Sequence, residues 1–183
     1  MLLLAALAVA VIIKTFLAQP FYIPSGSMIP TIEVDDRVMV SKLTYRFGEP
    51  DRGDIVVFRN PYAADVDESF PEAVVRNVLE ALGIRTAATD DLIKRIVAIE
   101  GDELEIRENA VFVNGRALVE PYLAPGSVMP DEGTRVIPEG YVFVMGDNRS
   151  QSSDSRVFGP VPESDIIGEA VFRIWPLARV GSL

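Results

Sequence analysis

The chain has 183 residues, 49% of them apolar, which suits one globular domain of ordinary size plus an attachment. Its formal charge of -10 argues against a nucleic-acid partner, because phosphate binding needs concentrated Lys and Arg. With no His and no Cys it can assemble no Ser-His-Asp triad, no Cys-His pair and none of the usual zinc ligand sets, so an enzyme without a cofactor must take its base from Asp, Glu, Tyr, Lys or a terminal amine.

The first element is an apolar run of about 18 residues, MLLLAALAVAVIIKTFLA, interrupted by Lys14 and Thr15 and near the minimum for a membrane-spanning helix. The expectation is a transmembrane anchor over residues 1–19, with a cleaved secretory signal or a buried helix as the alternatives. No charged segment precedes the run and Pro20 follows it, which counts against a signal. From residue 20 the pattern changes to short apolar runs punctuated by Gly, Pro and Asp. Arg37 to Val40 and Asp54 to Phe58 read as strands.

Ser69 to Gly83 breaks this pattern, placing Val74, Val75, Val78, Leu79 and Leu82 on one helical face. Ser69 with Glu72 fits a capping box, Pro71 suits a first turn and Gly83 a stop, so 69–83 is expected to be an inserted amphipathic helix. Ile93 to Ile99, the turn Glu100-Gly101-Asp102, Glu103 to Arg107 and Ala110 to Val113 then suggest consecutive hairpins. Asn114-Gly115 is a strong signal for a type I′ turn. Tyr141 to Met145 and Ala170 to Trp175 add further strands. The expected fold is mainly β: an antiparallel, coil-rich barrel or sandwich over 20–183, attached to the anchor.

Three segments carry groups that chemistry can use. In Ile23 to Pro30, IPSGSMIP, Gly26 permits close approach and the prolines stiffen the flanks, so the Ser27 hydroxyl can be presented outward and its N–H aimed at an oxyanion. Ser-Gly-Ser is also a common structural turn. The base search is short, because arginine stays charged near neutrality and the lysines number only three, at 14, 42 and 94. Lys14 belongs to the apolar run and Lys42 to the polar stretch SKLTYR.

Lys94 precedes an apolar strand whose alternation puts Lys94, Ile96 and Ala98 on one face and Ile93, Arg95 and Val97 on the other. Desolvation of a buried lysine lowers its pKa, and a fall from about 10.4 to about 8 takes roughly 3 kcal/mol. The spacing equally admits a lysine that snorkels or pairs with Asp90 or Asp91. The third segment, Gly146 to Arg156 (GDNRSQSSDSR), is either a polar turn or a supporting shell in which Ser152 bonds the lysine nitrogen and Asp154 pairs with Arg156 or Arg149.

Together the apolar run followed by QPFYIPSGSMIPTI, then RGDIVVF, IKRIVAIEGD and MGDNRSQSSDSRVFGPVP, resemble in order the successive boxes of the bacterial type I signal peptidase family. The resemblance implies a membrane-bound serine endopeptidase that removes signal peptides from exported preproteins. It implies that Ser27 is the nucleophile and Lys94 the general base, with Ser25 and Ser27 forming the oxyanion hole and Ser152 orienting the lysine. Asp154 and Arg156 would form a supporting salt bridge, with Asp147 in the same motif. Ile23 and Ile93 would line shallow pockets that select Ala-X-Ala. No metal and no cofactor are implied. The partners it implies are secretory preproteins and a lipid bilayer, with the catalytic domain expected on the extracytoplasmic side of the plasma membrane or at an internal photosynthetic membrane. A noncatalytic, membrane-tethered β module remains the alternative from a different class.

Overall fold

The structure, a computed structural model, describes residues 17–62 and 91–183. Residues 1–16 of the expected anchor and the whole expected helix at 69–83 lie outside the described residues. Among the described residues, no helix is long and apolar enough to cross a membrane.

The described residues form twelve strands in chain order. They are β1 (Ala18–Tyr22), β2 (Arg37–Ser41), β3 (Ile55–Arg59), β4 (Asp91–Ala98), β5 (Glu103–Arg107) and β6 (Ala110–Val113). After them come β7 (Arg116–Ala117), β8 (Glu132–Val136), β9 (Tyr141–Met145), β10 (Val161–Pro162), β11 (Ile166–Trp175) and β12 (Gly181–Ser182). The helices among them are short, such as the single turns Thr44–Phe47 and Ser155–Phe158.

All the pairings are antiparallel, and they form two sheets. The large sheet runs β1-β2-β11-β3-β4-β9-β10, with β12 on β11, and the small one runs β7-β6-β5-β8. The mainly antiparallel β expectation therefore holds, whereas a closed barrel is not formed: among the described residues the large sheet is an open path whose end strands do not pair. Leu104, Ile106, Val111 and Val113 of the small sheet share one buried cluster with Val97, Ala98, Phe143 and Met145 of the large one. Their removal from water joins the sheets.

The turns follow their residues. Asn114 and Gly115 have φ of 52° and 74°, the left-handed pair that a type I′ hairpin needs. The β5–β6 turn uses the less obvious Glu108-Asn109 in the same region, at 52° and 62°. The expected run of hairpins is interrupted before β5. The chain leaves the large sheet there through Gly101, at φ 76°, while the Asp102 carboxylate accepts the Ile99 N–H at 2.9 Å. In β4 the expected alternation holds as far as Ile96. A register shift between Ile96 and Ala98 then brings Ala98 into the cluster that holds Val97.

Two features of this frame position the site. β4 lies inside the large sheet between β3 and β9, so its side chains are buried on both faces. The β1–β2 connection, residues 23–36, is pinned at both ends. Ile23, Met28 and Ile32 sink into the core, each contributing roughly 2 kcal/mol of apolar burial. The buried Asp36 carboxylate accepts from Arg173, at 3.3 Å, and from Arg179, and Arg173 also donates to Thr31 O at 3.0 Å.

Candidate active site

Ser27 and Lys94, 67 residues apart in sequence, meet in the core. Ser27 is 7% exposed and Lys94 3% exposed. Lys94 Nζ donates to Ser27 Oγ at 2.8 Å and to Ile93 O at 2.9 Å. Burial is what moves its pKa, pushing it down to about 8, while the charge of Asp154 pulls the other way. At neutral pH a useful fraction of this amine is therefore unprotonated.

The turn after β9 closes over the pair. Gly146 N donates to Asp154 Oδ2 at 3.0 Å. A Cβ at Gly146 would stand 2.3 Å from Ser152 Oγ and 2.5 Å from Ser27 O, so glycine is required by this approach. Asp154 also receives the Arg156 guanidinium, Nε on Oδ1 and Nη2 on Oδ2, both at 2.8 Å. Burial raises the Asp154 carboxyl, but Arg156 and the Gly146 N–H outweigh it and hold the group below the usual carboxylate range.

The second ion pair lies directly beside the lysine in sequence. Asp147, fully buried, accepts Arg95 Nε at 2.9 Å and Nη2 at 2.8 Å, and Thr31 Oγ1 donates to it at 2.5 Å. Arg95 also donates to Gly53 O at 2.7 Å and stacks on the Tyr122 ring, 4.0 Å from its centroid. Strand β4, the serine loop and the turn after β9 are thus tied by one buried carboxylate.

The remaining expected residues divide. Ile23 and Ile93 share one apolar cluster with Met28, beside Ser27 in sequence. Ser25 is exposed just ahead of Ser27. Ser152 Oγ is buried without a well-formed hydrogen bond; it approaches Asp154, whose carboxyl it helps to hold down, and it is not hydrogen-bonded to Lys94. Arg149 does not pair with Asp154. Its guanidinium goes to Glu120, with Nη1 on Oε2 at 3.1 Å, and its Nε donates to Gly146 O at 3.1 Å.

Sequence reasoning missed Arg95, Thr31 and Asn148. Asn148 donates through its backbone N–H to Ser27 O and through Nδ2 to Gly26 O, both at 3.0 Å. A cavity of about 530 Å³ lined by Arg52, Asn114, Arg116 and Leu118 opens on the small sheet and shares no residue with this site.

A hydroxyl in contact with a desolvated amine suits acyl transfer without an imidazole, and the chain is a serine peptidase, as its relatives establish. It belongs to the family described as signal peptidase, peptidase S26, which matches residues 1–175, and so to the serine proteases that remove signal peptides. Signal peptidase I of Mycobacterium tuberculosis is 39% identical, over 97% of this chain and 72% of its own length. Probable signal peptidase I-1 of Synechocystis is 39% identical, over 100% and 84%. Thylakoidal processing peptidase 1 of Arabidopsis thaliana is 40% identical, over 96% of this chain and 47% of the relative. A signal peptidase I crystal structure from Enterococcus faecalis aligns with a TM-score of 0.48 at 25% identity, covering 66% of this chain and 96% of that one.

Proposed function

We propose that this chain is a membrane-bound endopeptidase that cuts exported preproteins after Ala-X-Ala sites, with Ser27 as nucleophile and Lys94 as base. The observation that carries this reading is the buried 2.8 Å contact between Lys94 Nζ and Ser27 Oγ, with the amine pushed down to about 8. Neutral Nζ takes the Ser27 proton as Oγ attacks the scissile carbonyl. The Ser27 N–H and the Ser25 hydroxyl face the oxyanion. The lysine ammonium then protonates the leaving amine, which departs as the new N-terminus of the mature protein. Water, deprotonated by Lys94, releases the signal peptide from the acyl-enzyme.

Supporting groups follow the same logic. Asp154, Arg156 and Asp147 hold the turn after β9 against the serine loop, and Ser152, whose buried hydroxyl lies against Asp154, is assigned to orient the Lys94 amine. Ile23 and Ile93 offer apolar walls beside Ser27 that favour small substrate residues. On β11 and the segment after it, Phe172, Trp175, Leu177 and Val180 are exposed, an apolar face suited to a bilayer surface. The apolar run at 1–16 supports a single-pass anchor. The catalytic domain then sits on the extracytoplasmic side of a plasma membrane, or on a thylakoid membrane like its plant relative.

Purified full-length protein in detergent, incubated with a preprotein, tests this. Ser27→Ala and Lys94→Ala are each expected to leave the preprotein uncut, and a preprotein with Leu just before the cleavage point is expected to resist the unmutated enzyme. Cleavage by both alanine variants at the normal rate would overturn the mechanism. Efficient cutting of the Leu preprotein would overturn the pocket assignment alone.

A further inference from the structure

Asn148 has no task in that mechanism, yet it donates two hydrogen bonds to the serine loop. Its side-chain Nδ2 donates to Gly26 O at 3.0 Å, and its backbone N–H donates to Ser27 O at 3.0 Å. A carbonyl oxygen can only accept, so the nitrogen end of the amide must face Gly26. The Gly26 carbonyl and the Ser27 N–H are two ends of one peptide unit, planar and trans, and they point in opposite directions. Holding the oxygen therefore sets the direction of the N–H. The same bond polarises the amide and makes that N–H a better donor.

Asn148 is itself firmly placed. Arg149 N donates to Asp147 O at 3.1 Å, and Asn148 has φ -80° and ψ 76°, the geometry of an inverse γ-turn. Gln151 N donates to Asn148 O at 2.9 Å. On its other side Asp147 is fixed by Arg95 and Thr31. The amide that reaches Gly26 is thus presented from a turn locked at both ends.

We propose that Asn148 is the positioning residue of the oxyanion site: through Gly26 O it aims and strengthens the Ser27 N–H that receives the developing negative charge. This inference rests on the assignment of Ser27 as nucleophile. Asn148 acts through the peptide unit rather than on the substrate, so it stabilises the transition state without contributing to ground-state binding.

The test uses the full chain with Asn148→Ala and Asn148→Asp. The aspartate keeps the volume and the backbone bond but turns an oxygen toward Gly26 O, and it stays measurable if the alanine variant does not fold. Three quantities are read: kcat and KM on a preprotein peptide, inhibition by a peptide aldehyde ending in Ala, and the Kd of a peptide made uncleavable by proline after the scissile bond. With the aldehyde, Ser27 Oγ bonds to the carbonyl carbon, its proton passes to Lys94 and the carbonyl oxygen takes the negative charge, so inhibition reports the oxyanion site.

We expect kcat to fall about 10- to 100-fold and the aldehyde to weaken by a similar factor, with the uncleavable peptide binding within about twofold of normal. Unchanged kcat in both variants would overturn the proposal, as would equal weakening of the aldehyde and the uncleavable peptide. Ser27→Ala is run alongside. If it still cleaves, the nucleophile assignment has failed; if it is inactive while both Asn148 variants cut normally, only the positioning role has failed.

Discussion

Replacing Lys94 with methionine is expected to abolish cleavage and to make the folded protein more stable. Loss of the base lowers kcat by about 10⁴-fold or more, as removal of either member of a nucleophile and base unit does. The stability gain follows from the lysine's own position. A pKa pushed down to about 8 by burial means that the folded state disfavours the charged amine, at a cost of about 3 kcal/mol at neutral pH. Methionine carries no charge to desolvate.

Part of this gain is lost with the bonds to Ile93 O and Ser27 Oγ, leaving a net increase of about 1 kcal/mol. The sign against pH is definite. Between about pH 8 and about pH 10.4 the unfolded lysine holds a proton that the folded one has released, so the parent protein becomes more stable as pH rises through that window. The advantage of Lys94→Met is therefore full below pH 8 and disappears near pH 10.4. Urea unfolding at pH 7 and pH 10 measures it; a variant less stable than the parent at pH 7 would show that the lysine is not held under desolvation strain.

Asp147→Ala has the largest expected structural effect. It removes the carboxylate that pairs with Arg95, leaving that residue, 8% exposed, with no other ion pair among the described residues, and it frees Thr31 from the turn after β9. Deleting one partner of a buried ion pair costs about 3 to 5 kcal/mol, because the survivor's desolvation is no longer compensated. The serine loop and β4 lose their common anchor as well, so activity should fall even at temperatures where the variant is folded. The double change Arg95→Met with Asp147→Leu should recover most of the stability, since no buried charge remains. A loss below about 1 kcal/mol for the single change would mean that solvent reaches Arg95 and that this pair does little to hold the site.

How far the fold could be read depended on whether a local pattern had a local cause. The strand at Tyr141 to Met145 and the Asn114-Gly115 turn were legible because side-chain burial and left-handed φ are set by the residues themselves. β1 was hidden because it continues an apolar run and contains Pro20, which a sheet tolerates here because β1 is an edge strand. β8, Glu-Gly-Thr-Arg-Val, is the exposed edge of the small sheet and has no alternation to detect. That β4 and β5, four residues apart, enter different sheets depends on packing between distant strands.

The candidate site followed the same division. The absence of His and Cys and the small number of lysines drew attention to Lys94, but spacing could not distinguish burial from a surface ion pair. Arg95 was assigned correctly to the opposite face of its strand; what could not be foreseen is that Asp147 would be buried there. Within GDNRSQSSDSR every residue looks like a turn former. Asn148 and Arg149 differ only in what they reach, Gly26 in one case and Glu120 in the other.

The central claim, that an amine whose pKa burial lowers to about 8 activates Ser27, is tested most directly by the pH dependence of kcat/KM on a preprotein peptide from pH 6 to pH 9.5. The essential species is unprotonated Lys94, so kcat/KM should rise about tenfold per pH unit on the acid side and level off above about 8. A profile flat across that range, or one that still climbs tenfold per pH unit at pH 9.5 as for a solvated lysine, would contradict it.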